Sequence, residues 1–257
     1  MLASLTDWYS VLVATDVTTT DGKTMDQARG KNGAVTPTTS TIRRSRPWVT
    51  NVLWHRPIAI ARANARAWLL VNTGTYGLLV IGFVVGLLFP ELSQDRATAL
   101  EDDGTGELVR SVFATPALFA LLILAVNVFR LSLLTIIVPS VVVPFAGLAC
   151  FGYWAVQTGV TLVPASAGGW VALIPHVLTV VIELQAYALC CLGVYVLGRS
   201  WVRPRSAGVT LHRQGYLTGL RQLAVLAVPA LVLLVVGAVW EAYSLRYLVG
   251  PLARLLA

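Results

Sequence analysis

The chain has 257 residues, of which 56% are hydrophobic and 12% charged, with a mean hydropathy of +0.74. About a quarter of an average soluble domain is charged, so this composition excludes an ordinary water-soluble fold and a disordered chain alike. The net charge of +7 does not point to nucleic acid, because the positive residues sit beside the ends of apolar runs, where they orient membrane helices.

Residues 1–46 read as a polar, flexible leader, with TTTDG at 18–22 and TPTTST at 36–41 and no sustained period. A secretory signal peptide is not expected there. WYSVLVA at 8–14 is short, Asp7 and Asp16 flank it, and no basic segment precedes it. Residues 47–67 are predicted to form an interfacial amphipathic helix. Arg56, Arg62 and Arg66 alternate there with Ile58 and Ile60, Pro57 suits a first turn, and Trp54 and Trp68 suit the headgroup level.

From 68 to 257 the sequence predicts an all-α transmembrane bundle of about five spans. The first is 68–89, closed by Pro90. The continuous apolar tract 112–164 is too long for one crossing of about 20 residues. A break at Pro139–Pro144 divides it into 117–138 and 141–162, and a break at Arg130 is the alternative. The fourth span is 171–197. The fifth is 222–243, with a bend expected at Pro229.

Arginine placement sets the orientation. Arg56, Arg62 and Arg66 precede the first span, and Arg199, Arg203, Arg205, Arg213 and Arg221 follow the fourth. The loop between the first two spans carries Glu91, Asp95, Glu101, Asp102, Asp103 and Glu107 against Arg96 and Arg110. Both basic regions are expected in the cytoplasm and the acidic loop outside. An odd span count then leaves the N-terminus cytoplasmic and residues 244–257 outside as a short amphipathic tail.

Beyond Glu107 the chain holds two acidic residues, Glu183 and Glu241. Both lie in apolar surroundings, as do Asn127, Arg130, His176 and Gln185. An ionisable group at bilayer depth costs several kcal/mol or more unless it faces protein or water. Asn127, Arg130, His176, Glu183 and Glu241 are therefore the candidate internal polar network. Arg130 and Glu183 fall within about one helical turn of the same depth, so a buried pair between them is expected. His176 and Glu183, seven residues apart, share a helix face. A lone His beside Pro175 also suits a helix start, and Glu241 is placed at a depth close to that of His176. Buried pairs of this kind set helix register or serve a pathway, and both roles stay open.

Gly82 and Gly86 form a G-x-x-x-G that allows close helix approach, with packing inside one chain as the default. Cys150, Cys190 and Cys191 have neither zinc nor disulfide spacing and are expected to pack as small residues. No metalloprotease, serine-hydrolase, P-loop or dinucleotide signature occurs, so neither an enzyme nor a cofactor or metal site is expected.

Three segments together resemble the SpoIIM family, the stage II sporulation protein M-like membrane proteins. They are LAVNVFRLSLLT at 124–135 with FAGLACFGYWAVQTG at 145–159, IPHVLTVVIELQAYAL at 174–189, and VVGAVWEAYSL at 235–245. The likeness covers about residues 66–247. It departs from the family after His176, where Val177 replaces Gly, and Glu183 comes three residues later than the family spacing. The resemblance implies a multi-pass protein of the bacterial cytoplasmic membrane, without cofactor chemistry, that organises partners in a membrane or cell-envelope complex. A scaffold is thus the leading expectation, with membrane lipid and other envelope proteins as partners and no nucleic acid. A homo-oligomer is compatible with it. The alternative is a permease-like subunit that needs an ATPase or a second membrane chain.

Overall fold

A computed structural model describes residues 55–92, 95, 111–113, 115–164 and 167–256. The leader 1–46, the first residues of the 47–67 segment and most of the acidic loop lie outside them. Among the described residues every regular element is helical. They are α1 (Arg56–Ala63), α2 (Ala65–Leu88), α3 (Pro116–Ala125), a π-helical stretch (Val126–Ile137), α4 (Val138–Val142), α5 (Ala146–Thr161), α6 (Ala167–Val202), a 3₁₀ turn (Pro204–Ala207), α7 (His212–Tyr247) and α8 (Val249–Leu256).

Four helices among the described residues are long and apolar enough to cross a membrane: Ala65–Leu88, Pro116–Val142, Gly169–Val202 and His212–Tyr247. This is consistent with a membrane protein. The third predicted span is represented by α5, whose 16 residues rise about 24 Å, short of a hydrocarbon layer of about 30 Å. The fourth and fifth are longer than read, at 36 residues each, since α6 and α7 both extend past the two ends of the predicted spans. His176 is consequently not a helix-start residue; it lies in the third turn of α6.

The core is the antiparallel α6–α7 hairpin. Leu184, Tyr187, Cys190, Cys191, Val194 and Leu197 of α6 pack with Leu223, Ala230 and Leu234 of α7 and with Ile136. Glycines bring the two backbones together, and a Cβ on Gly219 would stand 2.7 Å from Leu197 Cα. The spacing that suggested close approach in α2 operates within the chain: Gly82 abuts the Val156 backbone and Gly86 that of Val160, while Gly159 abuts Leu79 and Phe83. Since 82 and 86 meet 156 and 160, α2 and α5 run parallel.

The tract 112–164 turns at Val143–Phe145, while the helix passes through Arg130 unbroken. Phe145 closes the turn in the left-handed region, φ 68°, a costly conformation for a bulky residue. Its ring is seated on α6, where Gly198 leaves room and Tyr195 lies 6.1 Å away between centroids. Ser140 Oγ accepts the Gly147 N–H at 2.9 Å, satisfying one of the free donors at the start of α5.

Ahead of that turn the winding is wide. Ser132 Oγ donates to the Asn127 carbonyl and Thr135 Oγ1 to that of Arg130, each five residues back. Such π segments are rare and occur often at functional sites. This one carries Asn127, Arg130, Ser132 and Thr135.

Candidate functional site

Helical periodicity lines up His176, Thr179, Glu183 and Tyr187 on one face of α6. Asn127 of the π stretch donates through Nδ2 to Glu183 Oε1 at 2.5 Å. Gly237 of α7 makes the space, since a Cβ there would lie 3.2 Å from Glu183 Cγ. About two turns away along α6, His176 Nδ1 lies 3.3 Å from Glu241 Oε1, within ion-pair range but off hydrogen-bond alignment. Trp240 Nε1 donates to the Pro175 carbonyl at 3.2 Å and pins that end of the hairpin. Glu183 lies within electrostatic reach of both His176 and Glu241.

Four of the five residues singled out from sequence are therefore drawn together, as two neighbouring pairs. Arg130 is not among them. It is exposed and makes no ion pair with Glu183. In an α-helix residues three apart share a face, so Arg130 should have followed Asn127 inward. The wider π winding leaves the two on diverging faces. Similar depth was not enough; the azimuth differs.

A second polar cluster ties α6 to α2. Gln185 Nε2 donates to Tyr76 Oη at 2.7 Å and to Asn72 Oδ1 at 3.0 Å. Asn72 Nδ2 donates in turn to the Trp68 carbonyl at 2.9 Å. Gln185 stood out in the sequence, but Asn72 and Tyr76 did not. Their i, i+4 spacing on an apolar helix was the available signal. Gln185→Leu removes both interhelical bonds and is expected to cost about 1–2 kcal/mol. Thermal unfolding in detergent, followed by tryptophan fluorescence, measures it; an unchanged midpoint would show that the triad contributes nothing.

Two buried hydroxyls on the Glu183 face, Thr179 Oγ1 and Tyr187 Oη, have no hydrogen-bond partner among the described residues. Buried polar groups are ordinarily satisfied by protein or ordered water. Tyr187 is otherwise enclosed by aromatic rings, 5.8 Å from Phe151 and 5.5 Å from Trp154 between centroids. Among the described residues no group of three or more His, Cys, Asp or Glu side chains converges as a metal site would require. The chemistry present is hydrogen bonding and charge pairing between helices.

At one end of the bundle, Arg62 and Arg66 beside the α1–α2 junction meet Arg199 and Arg203 at the end of α6, around a single cavity. The two Arg-rich segments of the sequence thus share one end. No family model, curated protein or solved structure matches the chain.

Proposed function

We propose that this chain is a non-catalytic, multi-pass scaffold of the bacterial cytoplasmic membrane that organises partner proteins in a membrane or cell-envelope complex, in the manner of the SpoIIM family. The observation that carries this reading is that the polar side chains within the apolar helices engage one another. Asn127–Glu183 joins the π stretch to α6, His176–Glu241 joins α6 to α7, and Gln185–Asn72–Tyr76 joins α6 to α2. Such links fix helix register, which is what a docking platform needs. The peripheral helices keep apolar faces outward. In the most apolar stretches of α2 and of Pro116–Val142, 17% of residues are buried, against 56% in α6.

In this reading the chain crosses five times. Helix α5 starts near the Arg-rich end and finishes beside Gly86 near the far end of α2, so it carries the chain back across; local bilayer thinning accommodates its length. The Arg-rich end faces the cytoplasm.

Gentle detergent extraction of the full chain, followed by identification of co-purifying proteins, tests the proposal. The expected result is a defined set of envelope proteins that is lost or reduced with Glu183→Gln, together with some stability. A second reading, a subunit of a multi-component transporter, is favoured by Thr179 and Tyr187, whose free hydroxyls extend the polar face around Glu183. It predicts that Glu183→Gln leaves the complex intact and abolishes flux in proteoliposomes.

A further inference from the structure

The cavity at the Arg-rich end has a volume of about 680 Å³. Helix α1 breaks from α2 at Asn64, and Arg62 and Arg66 flank the break. Arg199 and Arg203, one turn apart, approach from α6. Among the described residues no carboxylate lines the cavity. The hydrogen bond that Arg199 Nη1 makes to Asn64 Oδ1 at 3.2 Å is to a neutral acceptor, so four formal positive charges converge with no counterion among the described residues. The remaining wall is largely apolar and includes two aromatic rings. Phe145, held in its left-handed conformation, and Tyr195 face the same space. Just beyond, where α2 enters its apolar run, Leu69 and Leu70 are 67% and 72% exposed.

We propose that this cavity binds the phosphate headgroup of an anionic phospholipid. Arginine forks match phosphate oxygens in a bidentate manner. Basic pockets between transmembrane helices near a membrane surface take acidic headgroups. The arginines alone would accept any phosphate. The two aromatic rings and the exposed leucines beside them favour a ligand with acyl chains over a free anion.

The test uses the full chain in nanodiscs of phosphatidylcholine doped with phosphatidylglycerol or cardiolipin, with retained lipid counted by native mass spectrometry. The expected result is retention of the anionic lipid over phosphatidylcholine, with the preference weakened by salt. The Arg66→Gln/Arg199→Gln variant is expected to lose about tenfold in affinity or more. Arg213→Gln/Arg221→Gln, on basic residues outside the cavity, is expected to retain it. Should the Gln variant fail to fold, Arg66→Lys/Arg199→Lys carries the test, keeping charge but losing the fork and hence part of the affinity. Equal retention of both lipid types overturns the proposal, as does an anionic preference left undiminished in whichever cavity variant folds. Displacement of the lipid by excess inorganic phosphate, which then binds with the same arginine dependence, assigns the site to a soluble anion and overturns the lipid assignment.

Discussion

Gly82→Ala and Gly159→Ala are each expected to destabilise the protein by about 1–3 kcal/mol, read as a fall in the thermal midpoint of the detergent-solubilised chain. A Cβ on Gly82 would stand 2.8 Å from the Val156 carbonyl carbon, and one on Gly159 would stand 2.7 Å from the Phe83 nitrogen. These obstacles are backbone atoms, which no rotamer change can move. The helices α2 and α5 must separate along their shared length, losing the dispersion contacts that hold membrane helices together. Gly74 and Gly77, on the same α2 helix, have nothing within 4 Å of an added Cβ. There, alanine is expected to hold the midpoint or raise it, since it stabilises a helix by up to about 1 kcal/mol relative to glycine. Equal losses at all four positions would contradict the parallel α2–α5 packing.

The second large effect is at the Glu183 carboxyl. Asn127→Leu removes the amide that donates to Glu183 Oε1 and leaves a half-buried acid without that partner, an expected loss of about 1–3 kcal/mol. Glu183→Leu strands the Asn127 amide in the same way and is expected to cost a comparable amount. Arg130→Leu, on an exposed side chain, is expected to stay within about 0.5 kcal/mol of the parent. Chemical or thermal unfolding of the three variants in one detergent checks the ranking.

Much of the architecture was readable because it follows from one-dimensional pattern. Apolar runs bounded by arginines gave the helices, and both basic segments proved to share an end of the bundle. Gly82 and Gly86 announced a close helix contact, though not that Val156 and Val160 would fill it. The candidate site was legible in its membership more than in its pairing. Depth along the membrane normal is read by counting residues, and it brought His176 to Glu241. Rotation about a helix axis is read by assuming α geometry, and that assumption failed between Asn127 and Arg130. The π winding there is held by hydroxyl bonds from Ser132 and Thr135 to carbonyls five residues back, and serine or threonine in an apolar helix does not by itself announce such a bond. Pro175 made a helix start at His176 plausible, yet both lie inside α6. The short reach of α5 was missed because the break expected at Pro139–Pro144 falls at Val143–Phe145, with Pro139 still inside a helix.

The polar side chains Asn127 and Glu183 hold each other between the apolar helices, while Arg130 is turned away and exposed. A pair of double-mutant cycles measures this most directly: Asn127→Leu with Glu183→Leu, and Arg130→Leu with Glu183→Leu, by equilibrium unfolding in a single detergent. A coupling of about 0.6–1.7 kcal/mol is expected in the first cycle and none beyond about 0.3–0.5 kcal/mol in the second. Coupling in the Arg130 cycle with none in the Asn127 cycle would contradict it.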